Sequence, residues 1–215
     1  MALKLYFHPL ASFCWKALIA LYENDKPFEP HIVDLADTAA RDAFFRLSPI
    51  GKMPVLRDDT RNLTIPEATI VIEYLSLHYP GPVRLVPADP DLAWQTRLRD
   101  RFYDLYVHEP MQRIVLDKLR PEGKSDPHGV EAARAQLKSA YALLEREMGT
   151  GMWAMGDVFS MADCAAAPAL FYANKLAPVG DAHGNVAEYR ERLTKRPSFA
   201  RTLAEAQPYF RLFPG

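Results

Sequence analysis

Residues 80–90, PGPVRLVPADP, constrain this chain more than any other stretch, because four of the eleven are proline. Proline fixes φ and has no N–H, so the run excludes helix and reads as an extended, semi-rigid linker. The hydrophobic period differs on its two sides. Upstream, LKLYF (3–7) alternates like a strand, and residues 12–22 repeat at helical spacing and stop at Asn24-Asp25. FEPHIV (28–33) is a second strand, and 38–48 is a helix opened by Asp37 or Thr38. Two short strands follow, PVLRD (54–58) and NLTI (62–65), joined by the turn DDTR; a helix over 66–79 has Pro66 and Glu67 in its first turn. The order is βαβαββα. A bridging helix implies that the first two strands are parallel, and the short turn implies an antiparallel pair.

Downstream of the linker every segment has helical period: 91–119 with a kink at Pro110, then 128–148, 160–176, 185–195 and 198–206. In the first of these, Trp94, Leu98, Phe102 and Leu105 form one stripe, the expected core face. The predicted fold is therefore α/β plus all-α: a small α/β domain over 1–79, the linker over 80–90 and an all-helical domain over 91–215. Ser160 and Asp163 have the S-x-x-D spacing of a capping box and start a buried helix.

Composition narrows the function. Twenty-six basic and 27 acidic residues leave a net charge of -1, spread without blocks, which gives no reason to expect nucleic acid or an anionic membrane as partner. The longest uncharged run of the C-terminal half, 164–174, is about half the length a bilayer needs. Pro9 interrupts the first apolar run before it could serve as a signal sequence. The two cysteines, Cys14 and Cys164, are far apart, which fits a reducing, cytoplasmic setting. No metal site is expected: His108-Glu109 opens like HExxH, but position 112 is Gln and Pro110 breaks the helix. GTGMWAMG (149–156) lacks GxGxxG spacing, and no GxSxG elbow occurs.

SPIGKMPVL (48–56) carries more. A trans Pro54 would simply open an edge strand; a cis peptide would turn the chain and leave the Met53 N–H and C=O facing outward. With the βαβαββα order, the Pro-rich linker, the helical half and the S-M-A-D box, this segment resembles the glutathione transferase family over the whole chain. The resemblance implies a thioredoxin-like N-terminal domain and glutathione as co-substrate. It implies a cis Pro54, a Met53 backbone that pairs with the cysteinyl part of glutathione, and a Glu67-Ala68 pair at its γ-glutamyl end. It also implies a homodimer that conjugates small electrophiles, a detoxification chemistry. The family's usual serine is replaced by Ala68, which keeps an N–H at a helix N-terminus but offers no hydroxyl; Thr69 is a substitute. Lys52, and less strongly Arg41, are candidates for the glycyl carboxylate.

The group that activates the thiol belongs in the turn before the first helix, where Tyr6, His8, Ser12 and Cys14 crowd together. Ser12 is a neutral donor near a helix N-terminus, or simply its N-cap, and the family's serine aligns on Ala11, one residue earlier. Cys14 would serve a glutathione-dependent thiol oxidoreductase, or be a buried small hydrophobe. Tyr6 can lie on either face of its strand, and His8 belongs to the turn. Tyr103, Tyr106 and Met111, with Phe171, are candidates for an apolar second-substrate wall, or for ordinary core. A non-catalytic binding protein of the same fold is the remaining alternative.

Overall fold

The computed structural model describes residues 2–214. The first half contains β1 (Leu3–Phe7), α1 (Ser12–Glu23), β2 (Glu29–Ile32), α2 (Thr38–Leu47), β3 (Val55–Asp58), β4 (Leu63–Pro66) and α3 (Ala68–His78). The sheet order is β2-β1-β3-β4. β1 and β2 are parallel, and the β1–β3 and β3–β4 pairs are antiparallel, with Leu5 opposite Leu56. The alternation read in LKLYF buries Leu3, Leu5 and Phe7 on one face and leaves Lys4 and Tyr6 on the other.

The helical half runs α4 (Pro90–Phe102), a π-helical segment (Tyr103–His108), α5 (Glu109–Lys118), α6 (Pro127–Glu147), α7 (Met161–Leu176), α8 (Gly184–Lys195), α9 (Pro197–Ala206) and a 3₁₀ turn (Gln207–Leu212). The predicted kink at Pro110 is thus a widened turn just before it. Proline has no N–H for the carbonyl four residues back, and the helix absorbs the loss by changing register. The capping box is present: the Asp163 carboxylate accepts from Ser160 N–H at 2.8 Å and also from Tyr189 Oη at 2.6 Å.

Two sequence expectations fail here, each for a physical reason. α3 begins at Ala68, not Pro66, because Glu67 has φ 70°, in the left-handed region that no helical residue adopts. The stripe of Trp94, Leu98 and Leu105 faces outward, 53%, 59% and 47% exposed. The inward face carries Thr96, Asp100, Tyr103 and Asp104 instead. Asp100 and Asp104 are tolerated there because Lys16, itself 1% exposed, lies 2.6 Å from Asp100 Oδ1 and 2.8 Å from Asp104 Oδ2. A buried charge cluster thus inverts the usual reading of polar residues as surface.

One continuous core joins the two halves. Its centre is Trp15, stacked on Tyr172 at 4.7 Å and packed on Phe171 at 5.3 Å and Phe199 at 5.9 Å. The same contacts fix the turn before α1: Trp15 Nε1 donates to Pro9 O, and Tyr172 Oη donates to Leu10 O at 2.8 Å. The helical half therefore pins the turn between β1 and α1.

Candidate functional site

The turn at 8–11 is set locally as well. Ala11 N–H donates to His8 O at 3.0 Å, and Leu10 N–H donates to His8 Nδ1 at 3.2 Å. His8 is thus spent on the turn. Tyr6 points away, its ring stacked on His31 at 4.7 Å within the small cluster under α2. Cys14 is fully buried, and burial pushes its thiol up to about 12. A nucleophilic cysteine needs the opposite shift and an open approach. Cys14 is therefore a core residue.

Ser12 is not the N-cap; that position is Ala11, and Ser12 is the first helical residue. Its hydroxyl is buried without a hydrogen-bond partner. Buried hydroxyls are normally paired, since an unmade bond costs about 1–3 kcal/mol. Ser12 is an unspent donor at a helix N-terminus.

The Met53–Pro54 peptide is cis. Met53 is half-buried beneath the head of β3, and among the described residues neither its N–H nor its C=O makes a backbone hydrogen bond. It offers an open edge to an extended peptide. Lys52 beside it is exposed and, among the described residues, forms no ion pair; Arg41 lies against Asp42 at 3.7 Å.

Glu67, Ala68 and Thr69 line a cavity of about 180 Å³ together with Phe13, Arg101, Asp104, Leu105, His108, Glu109 and Gln112. Glu67 keeps a strained φ of 70° with its side chain exposed, an arrangement that persists only where the surroundings impose it. The Ala68 and Thr69 amides open α3 and face anions favourably. Thr69 cannot stand in for the hydroxyl missing at Ala68. Its Oγ1 donates to Asp100 at 2.8 Å and accepts from Lys16 at 2.8 Å and Arg101 at 2.6 Å, which fills its capacity. The polar supplement is Arg101, which also pairs with Asp104. Burial raises the Asp104 carboxyl, against the opposing pull of Lys16.

The expected second-substrate wall is corrected. Tyr103 and Met111 are 1% and 3% exposed and belong to the core, while Tyr106 is 59% exposed and packs on Phe102. None of the three lines the cavity. Phe13 of α1, Leu105 and His108 of the π segment and Gln112 of α5 do. The sequence reading weighed His108 only as a metal ligand and did not consider Asp104. The available signal was the four-residue spacing of Asp100, Asp104 and His108 beside Tyr103. A larger, mostly apolar cavity of about 500 Å³, lined by Phe7, Leu18, Tyr22, Phe28 and Arg201 among others, shares no residue with this one. Of the sequence candidates for glutathione, Glu67 and Ala68 line the smaller cavity; Ser12, Lys52 and Met53 do not.

Comparison with known proteins gives the family of the chain. The chain matches the N-terminal domain of glutathione S-transferases over residues 5–83 and their C-terminal domain over 127–192. It is 30% identical over 191 residues to human glutathione S-transferase theta-1, covering 84% of this chain and 75% of that one. It is 28% identical over 212 residues to a stringent starvation protein A homologue of Histophilus somni, covering 96% and 92%. A glutathione S-transferase of Methylobacterium radiotolerans, solved in complex with glutathione sulfonate, superposes with a TM-score of 0.80 at 27% identity, covering 93% of each chain. The chain belongs to the glutathione S-transferase family. Its function lies among glutathione transfer and the related activities of that family.

Proposed function

We propose that the protein is a glutathione transferase that binds glutathione across the head of β3 and the N-terminus of α3 and adds its thiolate to a small apolar electrophile. The observation that carries this reading is the coincidence, at one cavity, of the left-handed Glu67 and the free α3 amides, next to the unpaired Met53 backbone. The γ-glutamyl end of glutathione is a zwitterion. Its ammonium is met by Glu67, and its carboxylate by the Ala68 and Thr69 amides and Arg101. The cysteinyl unit pairs with the Met53 backbone, and Lys52 is free to meet the glycyl carboxylate.

A thiol of pKa ~8.5 is only about 3% ionised at pH 7. One hydrogen bond to the thiolate, worth roughly 1.5–3 kcal/mol, lowers that pKa by about one to two units. Ser12, with its unspent hydroxyl, is the donor. Because a less basic thiolate is a weaker nucleophile, the net gain at pH 7 is only about threefold. Most of the acceleration comes from holding the electrophile beside the sulfur. Ser12→Ala is expected to raise the pKa of enzyme-bound glutathione, read by thiolate absorbance, by about one to two units and to shift the pH–rate profile with it. An unchanged pKa would remove Ser12 from the role.

We also infer a homodimer. Trp94 and Leu98 of α4 face outward, and so do Ile70 and Leu77 of α3, 51% and 74% exposed. Exposed large apolar side chains on two helices joined by the Arg97–Glu73 pair support a protein interface there.

Not every relative is named as a transferase, which supports a second reading, a binding protein that retains the fold. Conjugation of a generic electrophile by the wild-type protein separates the two.

A further inference from the structure

α1 has no side-chain cap, because its N-cap is Ala11, so the approach to Ser12 is set by the turn before it. That turn runs over residues 8–11, with Pro9 in its second position, where a fixed φ suits a turn. Pro9 has no N–H, and both amides the turn does offer go to His8. Ala11 N–H donates to the His8 carbonyl, and Leu10 N–H donates to His8 Nδ1, 3.2 Å away. The carbonyls of the same turn are held from farther off, Pro9 O by Trp15 and Leu10 O by Tyr172.

Of these bonds, the one to Nδ1 is the one a proton can undo near neutral pH. An imidazole nitrogen that accepts is unprotonated, so the ring is neutral and carries its proton on Nε2. Protonation would set an Nδ1–H against the Leu10 N–H, two donors face to face. The Trp15 indole and the Tyr172 phenol, which burial raises, keep their protons throughout. Around the imidazole stand Asp34, in the segment after β2, which favours the charged ring, and Tyr209 of the 3₁₀ turn, edge-on at 6.3 Å; Cys14 of α1 approaches the His8 backbone. Burial outweighs Asp34 and holds the ring below its ordinary 6.5. The acceptor is therefore present at neutral pH and is lost as the pH falls below that value.

We propose that His8 is the positioning residue of this turn: its unprotonated Nδ1 fixes the Leu10 amide and so aims Ser12, and its protonation in mild acid turns the hydroxyl away from the glutathione sulfur. The inference rests on the glutathione-transferase reading above, with Ser12 as donor, and adds a pH gate to it. His8 itself touches no reacting atom. A proton from solvent binds Nδ1, the Leu10 N–H is released to water, and the bound thiol loses the hydrogen bond that held its pKa down. Acidification therefore loads two protons in one coupled step, one on the imidazole and one on the sulfur.

The test titrates the thiolate absorbance of enzyme-bound glutathione against pH in wild type, His8→Ala, His8→Asn, Ser12→Ala and the double variant His8→Ala with Ser12→Ala. His8→Ala is expected to raise the thiol pKa by about one to two units, as Ser12→Ala does, and the double variant to go no higher than either. His8→Asn, whose Oδ1 takes the place of Nδ1 and does not titrate, is expected to stay within about half a unit of wild type. Below about pH 6.5 the wild-type signal is expected to vanish more steeply than a one-proton curve, and the His8→Asn signal to follow one. If His8→Ala does not fold, the wild-type and His8→Asn curves decide between them. An unchanged pKa in His8→Ala, shifts that add in the double variant, or a one-proton curve in wild type would overturn the proposal. If Ser12→Ala leaves the pKa where it was, the proposal falls with the role of Ser12, and the transferase stands. A wild type that binds no glutathione removes both.

Discussion

Ser12 and Cys14 are two residues apart in one helix and meet opposite fates. The helix turns Cys14 into the core beside Trp15, where no reagent reaches it and burial holds the thiol protonated. Cys14→Ala is expected to leave conjugating activity within about twofold of wild type and to cost roughly 1 kcal/mol of stability for the lost packing. The thiol is also expected to resist iodoacetamide in the native protein. Rapid native-state labelling, or loss of a glutathione-dependent reductase activity in that variant, would return Cys14 to the mechanism. Neighbouring residues on a helix cannot share an environment, and the sequence shows only that they are neighbours. Ser12 was legible as a candidate. That its hydroxyl is left unpaired, with Ala11 as the cap, was not, because capping depends on φ and ψ rather than on residue type alone.

At the scale of elements, the βαβαββα order was readable because strand and helix periods alternate cleanly before the Pro-rich linker. The boundaries that failed are those at which a backbone special or a buried charge overrides the pattern. Glu67 looked like the first turn of α3 and is instead the left-handed residue before it. On α4, hydrophobicity pointed to the wrong face, because Asp100 and Asp104 are buried against Lys16 while Trp94 and Leu98 face outward. This cluster ties α1 to α3 and α4 through Thr69, and so holds the amides that open α3 in place. Removing the single buried cation leaves the two buried carboxylates only the half-exposed Arg101 as a counter-charge. Lys16→Ala is therefore expected to lose about 3–5 kcal/mol in denaturant unfolding. A loss below about 1 kcal/mol would mean that water or Arg101 already satisfies the aspartates.

For the whole molecule, the two halves share one core, and the helical half fastens the turn before α1 through Trp15 and Tyr172. The turn before α1 is thus built by long-range packing that no local motif announces. The proline-rich stretch, by contrast, carries no named helix or strand between α3 and Pro90, where α4 begins. On the homodimer reading, a second copy of the chain covers the exposed Leu77 of α3 and Trp94 of α4. Leu77→Glu together with Trp94→Glu is expected to halve the mass seen by light scattering without loss of helical signal. An unchanged mass would place the interface elsewhere or leave the protein monomeric.

The central claim is that Glu67 and the head of α3 receive the γ-glutamyl end of glutathione, and calorimetric titration of glutathione into wild type and Glu67→Gln tests it most directly. The account expects one site per chain in wild type. It expects affinity about 10–100-fold weaker in Glu67→Gln, since a charge-assisted hydrogen bond worth roughly 1.5–3 kcal/mol is removed. Equal affinities in the two proteins, or no binding by the wild type, would contradict it.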